Sequence, residues 1–261
     1  PASMRRAFAS SRGFDMVVHA AGALSQNCLR VNHEGTRNLL SEIGARTGLW
    51  IQISSAGVYR NDLIRVVTEE TECEQISEYE RSKWLADQEV RKVHSSHIIV
   101  RPTMVAGIGM KGSPLRLFAR AVGAGFVPEF HKDASLNLVH ANDVAAAVLH
   151  FCHQAPPEGG DREYILSDDL LLNEVIGTIG RALHRSEPCR RIPDFLLKAA
   201  AGAGSAMGVK AFNRKRYAIL NNRALFSSDR IRLLLPGWPQ CGSRSAIDQV
   251  CAAPGREPSS T

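Results

Sequence analysis

The sequence lacks the cysteine patterns that form disulfide frameworks in secreted domains or bind zinc. Its six cysteines stand at positions 28, 73, 152, 189, 241 and 251, without a C-x-x-C pair among them. Scattered thiols of this kind are typical of reduced cysteines in a cytoplasmic protein rather than of a disulfide framework. His150 and His153 flank Cys152, but no second ligand pair follows at zinc-site spacing. We therefore expect a cytoplasmic protein without a metal site.

Aromatic residues are also scarce, at 6% of the 261 residues, so few side chains could stack on nucleic-acid bases. The net charge of +6 suits an anionic ligand such as a dinucleotide or a sugar nucleotide. The tight basic clusters, Arg190-Arg191 and Arg214-Lys215-Arg216, do not alternate with aromatic residues that could stack on bases. We interpret them as solvated surface and expect no nucleic-acid partner.

Long hydrophobic runs are missing as well. The segment 193–212 is rich in alanine and glycine, but glycine and lysine interrupt it too often for a membrane span. Stable membrane insertion is therefore not expected. Two interpretations of this segment stay open, a helix that lies on a membrane surface and a helix that covers a substrate cleft.

Patterns that are typical of strands and helices alternate in the first two thirds of the chain. Residues 14–22 predict a buried strand that runs into a turn of small residues, and 49–55 and 97–102 predict two more strands. Helical spacing at 32–40 and around residue 80 separates them. This alternation predicts an α/β fold with a parallel sheet, in which reactive groups gather at the C-terminal ends of the strands.

Ser55, Tyr79 and Lys83 are the residues that could carry chemistry at this edge of the sheet. Tyr79 and Lys83 are four residues apart, so a helix presents both on one face. A phenol, with an ordinary pKa of about 10, is a poor base at neutral pH, and a neighbouring cation lowers that pKa. A serine hydroxyl at the same point can hold a carbonyl or alcohol oxygen while the proton moves. The three residues therefore predict oxidation of an alcohol or reduction of a ketone.

Six motifs occur in a family-like order along the chain. They are H-A-A-G at 19–22, N-x-x-G-T-x-N-L-L at 32–40, S-S-A-x-V-Y at 54–59, Y-x-x-x-K at 79–83, R-P-x-x-V-x-G at 101–107 and V-H-A-N-D-V-A at 139–145. In these motifs the chain resembles the extended short-chain dehydrogenase/reductases, the group of NAD-dependent epimerases and dehydratases. The resemblance covers most of residues 14–170. It implies a Rossmann-like sheet, NAD or NADP as cofactor, and hydride transfer at a small-molecule substrate.

The resemblance also implies the roles of individual residues. Ser55, Tyr79 and Lys83 would be the catalytic triad, and Lys83 would also hold the nicotinamide ribose. The cofactor would contact His19, Ala20, Ala21, Gly22, Asn32, Ser54, Tyr79, Lys83, Pro102 and Thr103. The substrate would contact Ala56, Met104 and Val105.

One element of the family is missing from the sequence, the glycine-rich turn that holds the dinucleotide pyrophosphate on a helix N-terminus. No G-x-x-G-x-x-G stands in the first 22 residues, and two strand–helix units, on the order of 50–60 residues, are not seen. Gly107, Gly109 and Gly112 follow the third strand, so we interpret them as an active-site loop. We expect a fragment of a longer protein with an N-terminally truncated Rossmann fold. The alternative is a degenerate member that cannot hold a dinucleotide alone.

The chain is expected to divide into three regions. Residues 1–160 would form the partial Rossmann domain with the catalytic residues, and 161–251 a smaller, mostly helical substrate-binding region. Residues 252–261, mainly Pro, Gly, Ser and Thr, would be a disordered tail. A homodimer through the helices near Tyr79 is expected only by analogy with relatives.

The substrate class stays open between two interpretations. Nucleotide-sugar epimerases usually carry an asparagine at the position of Met104 and often an arginine at that of Leu136, so a nucleotide sugar is expected with two polar contacts replaced. Residues 102–105 also resemble the P-T-L-V of flavonol reductases and hydroxysteroid dehydrogenases, which makes a sterol- or flavonoid-like alcohol the alternative. A third hypothesis is a truncated, non-catalytic binding module. Asp143, at the head of a predicted helix, is interpreted as its cap or first-turn carboxylate.

Overall fold

The structure, a computed structural model, describes residues 6, 8, 11–24, 26–60, 66–75, 77–110, 114–154, 162–184, 190–208 and 214–252. All but the first residue of the predicted tail lies outside the described residues. Cys189 and Gly112 of the predicted active-site loop also lie outside them.

The N-terminal part alternates strands and helices as the sequence predicts. Its elements are β1 (Phe14–His19), a π-helical segment (Leu29–Glu34) that continues into α1 (Gly35–Ile43), β2 (Thr47–Ile53), β3 (Val66–Val67), α2 (Glu78–Val93), β4 (His97–Pro102) and β5 (Met104–Ala106). Two short 3-10 helices, Gly44–Arg46 and Ala56–Val58, precede and follow β2.

The second half of the chain contains more helix than strand. Its helices are α3 (Pro114–Gly123), α4 (Ala141–His153), α5 (Leu172–Ala182), α6 (Asp194–Ala206), α7 (Arg214–Leu220), α8 (Asp229–Leu234) and α9 (Gly242–Ala252). Its strands are β6 (Phe126–Pro128), β7 (Ser135–Leu136), β8 (Leu138–His140), β9 (Glu163–Leu166), β10 (Leu170–Leu171), β11 (Arg190–Ile192) and β12 (Leu225–Phe226). In the part of the chain that the structure describes, no helix has both the length and the apolar character to cross a bilayer.

A four-stranded parallel sheet in the order β1-β2-β4-β9 forms the centre of the fold. The inner strands β2 and β4 are apolar because helices cover both faces, and Ile51, Ile98 and Val100 are completely buried. The strand β1, predicted to be buried, lies at the edge of the sheet, where Val18 is 41% exposed. The predicted α/β fold with a Rossmann-like parallel sheet is confirmed. Strand β9 begins at Glu163 and pairs with β4, so the sheet extends past residue 160. The division of the chain at that point stays a prediction.

Two hydrophobic layers pack on this sheet. Helices α1 and α2 pack on one face around Trp50, with Leu40 and Val90 beside it. Helix α4 contributes Phe151 to the layer around Ile51 and Ile98. A further core lies outside the sheet, where α3, α5 and α9 pack together with the β5–β8 and β7–β10 pairs. This mostly helical part stands next to the C-terminal ends of the sheet strands through β5, which follows β4 directly.

Candidate active site

The beginning of α2 determines where Tyr79 lies. Ser77 is the N-cap, and its Oγ accepts a hydrogen bond from the Glu80 backbone N at 3.2 Å. The Glu80 carboxylate accepts one in return from the Ser77 backbone N at 2.8 Å. This capping box satisfies two amides that a helix start leaves without partners, and the acidic first turn complements the helix dipole. Tyr79 is therefore held in the first turn of α2, with Lys83 one turn later.

Ser55 meets Tyr79 just beyond the end of β2. Its extended backbone caps the short helix Ala56–Val58, and its Oγ accepts from the Gly57 N at 3.2 Å. Its hydroxyl is also the side-chain hydrogen-bond partner of the Tyr79 phenol. Burial raises the pKa of Tyr79 above its ordinary value, and the bond with Ser55 lowers it by less. The phenol is thus protonated at neutral pH and is a proton donor in the free chain.

Lys83 is buried behind this pair. Its Nζ donates a hydrogen bond to the Ile53 carbonyl oxygen at 2.9 Å, at the last residue of β2. Burial lowers the pKa of Lys83, and the Asp87 carboxylate one turn further along α2 opposes that shift. The sequence predicted that Lys83 would lower the pKa of Tyr79, whereas in the structure burial sets the opposite direction for that phenol.

The turn after β1 leaves open space next to Lys83. Ala20, Ala21 and Gly22 are exposed there, as residues that line a cofactor must be. A Cβ on Gly22 would stand 3.1 Å from Lys83 Nζ and 3.3 Å from Asn32 Oδ1, closer than ordinary side chains approach. The described hydrogen bonds use one of the three N–H donors of Lys83. A cationic donor facing an exposed glycine turn fits the ribose hydroxyls of a dinucleotide, so these residues fit the cofactor that the sequence implies.

Asn32 holds that turn in place. Its Oδ1 accepts from the Ala23 N at 2.7 Å, and its Nδ2 donates to the Ala23 carbonyl at 2.9 Å and to Ser82 Oγ at 2.9 Å. The side chain is buried, so in this structure it connects the turn to α2 rather than facing solvent. Its predicted contact with the cofactor stays a prediction.

His19, at the end of β1, is a buried neutral imidazole. Burial, with a smaller effect of Lys83, lowers its pKa to about 4. Its Nε2 lies 3.0 Å from Thr36 Oγ1, and that hydroxyl already donates its proton to the Asn32 carbonyl. We infer that Nε2 carries the ring proton and donates to Thr36.

A buried ion-pair network beneath the site was not predicted from the sequence. Arg101 and Asp87 are both completely buried, and Arg101 Nη2 lies 3.0 Å from Asp87 Oδ2. The same carboxylate oxygen accepts from Ser54 Oγ at 2.8 Å, and Arg101 Nη1 bonds Glu163 at 2.7 Å. Arg101 also donates to the Tyr59 hydroxyl and stacks over its ring at 4.7 Å. Ser54 was predicted to contact the cofactor, and the structure places its hydroxyl on Asp87.

The other predicted contacts differ in how accessible they are. Pro102 and Ala56 are buried, while Thr103 bonds Ser167 Oγ at 2.8 Å. Met104 is half-buried against the helical core, and Val105 is 40% exposed. Of the three predicted substrate residues, Met104 and Val105 thus have surface that a ligand could reach.

A cavity of about 730 Å³ opens beside Tyr79. Its lining residues are Leu24, Gln26, Asn27, Cys28, Ser77, Glu78 and Tyr79. Sequence reasoning found only Tyr79 among them. The capping pattern S-x-x-E at 77–80 could have indicated Ser77, and Asn27, in a left-handed conformation with φ 61°, is of the residue type that tolerates it.

Asp143 and His140 have structural roles. Asp143 lies in the first turn of α4, as predicted, but its carboxylate binds the loop before α9. Oδ1 accepts from the Gln240 and Cys241 amides at 2.8 and 2.9 Å, and Oδ2 from the Gly242 amide at 2.9 Å. His140 is the N-cap of α4, with Nδ1 accepting from the Asn142 amide. Within the described ranges, no group of three His, Cys, Asp or Glu side chains could hold a metal ion.

Comparison with known proteins gives one family. The model of the NAD dependent epimerase/dehydratase family matches residues 1–165. Among curated proteins, the ceramide reductase of Caulobacter vibrioides (strain NA1000 / CB15N) is 27% identical over 146 residues, which are 54% of this chain and 42% of the reductase. The chain therefore spans less than half the length of this relative.

Solved structures share the fold at low identity. A candidate epimerase from Burkholderia cenocepacia J2315 has a TM-score of 0.71 at 24% identity, covering 97% of this chain and 80% of that chain. RMD from Pseudomonas aeruginosa, complexed with NADPH, has a TM-score of 0.66 at 18% identity over 91% and 80% of the two chains. UDP-glucuronic acid 4-epimerase from Bacillus cereus, in complex with NAD, has a TM-score of 0.67 at 12% identity, covering 94% of this chain and 75% of the epimerase. At these identities the likeness shows the fold.

Proposed function

The chain belongs to the NAD-dependent epimerase/dehydratase family, and from this premise we propose that it catalyses hydride transfer between NAD(P) and a secondary alcohol or ketone. The observation that supports the reaction is the meeting of Ser55 and Tyr79 at the C-terminal end of β2, with Lys83 behind them on α2. The family model covers the segment that carries all three residues.

Each of the three side chains has a separate task in this proposal. The cofactor, when bound, would supply or accept the hydride. Tyr79 moves the proton to or from the substrate oxygen, and its burial keeps the phenol protonated for the direction of ketone reduction. Ser55 hydrogen-bonds the same oxygen and stabilises the charge that develops on it. Lys83 orients the ribose and, as a cation, favours the phenolate that forms during turnover.

An apolar substrate is the class that we propose first. Leu136, at the position where an arginine often contacts the diphosphate, is buried in the helical core, and Met104 packs on the same core. Neither position therefore supplies the polar partner that a nucleotide sugar would need, and the half-buried Met104 keeps apolar surface that a ligand could reach. The related protein is named a ceramide reductase, and a ceramide is a lipid, which agrees with this preference.

A nucleotide sugar, the first expectation from the sequence, is the second candidate. Two observations favour it. Gln26, Asn27 and Ser77 give the cavity beside Tyr79 a polar side. The fold is also shared with the Bacillus cereus epimerase, whose name specifies UDP-glucuronic acid. A non-catalytic binding module remains the third hypothesis.

The first experiment is a titration with NADH and NADPH that follows the fluorescence of Trp50, Trp84 and Trp238. Saturable binding is expected, and Tyr79→Phe should retain the affinity within a few-fold. With a ketone substrate the same variant should lose turnover by about 10²–10⁴-fold, the usual contribution of a general acid. Tyr217→Phe, on α7, is the matched control and should keep full activity. Retained turnover in Tyr79→Phe would refute the assignment. Absence of dinucleotide binding would mean either a fragment or a non-catalytic binding module, and repeating the titration with a longer form of the chain would decide between them.

Location and assembly also stay proposals. We propose a cytoplasmic protein, because the five cysteines that the structure describes form no disulfide with one another. A homodimer through the helices near Tyr79 stays a prediction by analogy, which the sedimentation rate of the chain would test.

A further inference from the structure

Helix α6 presents an apolar surface that the described part of the protein leaves uncovered. It is attached on one side to α7, where the Arg214 N donates to Ser205 Oγ at 2.9 Å and the Tyr217 hydroxyl to Asp194 at 2.7 Å. Ala201 and Gly204, its buried residues, lie on one face. The helix therefore needs only a narrow strip of small residues for its own packing.

The opposite face of α6 is exposed and apolar. Phe195, Leu196 and Met207 are 68%, 48% and 72% exposed, although burial of such side chains is the usual source of stability. At 3.6 residues per turn, the exposed apolar positions fall within an arc of about 140°. They are Phe195, Leu196, Ala199, Ala200, Ala203, Ala206 and Met207.

The segment that carries this apolar face is basic, and described basic side chains lie along one border of the face. Residues 190–223 contain eight Lys or Arg and one Asp, a net charge of +7, whereas the whole chain has +6. Lys198 is exposed on one border of the arc. On the same border, the Arg214 guanidinium nitrogens lie 3.9 Å from where a Cβ would stand on Gly202. The segment thus contains all of the net positive charge of the protein.

We propose that α6 docks on the surface of an anionic lipid bilayer, with its axis in the plane of the membrane. Apolar side chains on one face, flanked by Lys and Arg, are the combination that binds helices to the boundary between headgroups and acyl chains. Each basic residue near an anionic surface adds to the attraction. A second copy of this face is a poor partner, because the same basic segment would stand on both copies and like charges repel each other. The inference is independent of the proposed reaction, since it concerns a surface formed by α6 and α7 rather than the residues around Tyr79.

Vesicle binding tests this proposal. The full chain is sedimented with vesicles of phosphatidylcholine that contain about 30% phosphatidylglycerol, and with vesicles of phosphatidylcholine alone. We expect at least about tenfold tighter binding to the anionic vesicles, weakening as salt screens the attraction. The variant Phe195→Ser/Leu196→Ser should lose at least about tenfold in binding, and Lys198→Glu should also bind less. Leu233→Ser is the matched control, because Leu233 is 83% exposed on α8, and it should bind like the wild type.

Three outcomes would overturn the proposal. They are no binding to anionic vesicles, equal binding by the double variant and the wild type, and a dimer of the wild type that the double variant dissociates. NADH titration of each variant separates this result from the proposed reaction. The α6 variants should bind NADH like the wild type, so failure of vesicle binding and failure of dinucleotide binding would be seen independently.

Discussion

Replacing Arg101 by Met should destabilise the protein strongly, because Arg101 is the cation of the buried network beneath the active site. The guanidinium contacts Asp87 at 3.0 Å and Glu163 at 2.7 Å, with Arg101 and Asp87 completely buried. Glu163 keeps a second partner, since it also pairs with Arg91. Asp87 would keep only its hydrogen bond from Ser54. The cost of the substitution therefore comes mainly from an uncompensated buried carboxylate.

The magnitude follows from the cost of breaking such a pair. Removing one partner of a buried ion pair costs about 3–5 kcal/mol, a large share of the 5–15 kcal/mol that stabilise a typical domain. For a chain of this size the loss corresponds to a fall in Tm of about 6–20 °C. An exposed pair contributes at most about 1 kcal/mol. Arg191→Met, which breaks the exposed pair with Glu129, is therefore the matched control.

The stability that Arg101→Met loses should depend on pH in a defined direction. Burial raises the pKa of Asp87 even beside Arg101, and without Arg101 that pKa rises further. A carboxyl group with a raised folded pKa holds a proton that the unfolded chain has lost, so its cost grows as pH rises above the ordinary value of about 4. The difference in Tm between wild type and Arg101→Met should thus be larger at pH 7 than near pH 4.5.

Thermal unfolding followed by circular dichroism at both pH values measures the effect. A double variant, Asp87→Asn with Arg101→Met, should recover part of the lost stability because no buried charge is left unpaired at Asp87. If Arg101→Met and Arg191→Met unfold at the same temperature, or if the difference does not narrow toward pH 4.5, the network does not have the role assigned to it.

Three further substitutions have defined outcomes. Gly22→Ala should weaken NADH binding at unchanged Tm, because the new Cβ would stand 3.1 Å from the Lys83 ammonium. Gly180→Ala is the control and should leave binding unchanged, because no heavy atom lies within 4 Å of the Cβ that it adds. Asp143→Ala should lower the free energy of unfolding by at least about 1–3 kcal/mol in urea titrations, since three backbone amides lose their acceptor; no change would mean that water replaces the carboxylate. Lys83→Ala should weaken both dinucleotide affinity and turnover, and a fall in turnover alone would show that its ribose contact is wrong.

Relations between residues close in sequence could be predicted. The apolar runs at 49–55 and 97–102 are typical of strands buried on both faces, and both form strands of the central sheet. Tyr79 and Lys83 share a helix face because their spacing matches the helix period. Both predictions depend only on local periodicity. The structure places Lys83 at the C-terminal end of β2, where its Nζ bonds the Ile53 carbonyl.

Other features depend on which distant segments pack together. Asp143 was assigned to the start of its own helix, yet its carboxylate binds amides 97 to 99 residues further along the chain. The direction of the Tyr79 pKa shift depends on burial, which no spacing of residues encodes. Local patterns in the sequence thus predict three strands of the central sheet, the helices between them, and the spacing of Tyr79 and Lys83. The environment of the charged groups follows from tertiary packing, because solvation and pairing of a buried group depend on contacts with residues far along the chain.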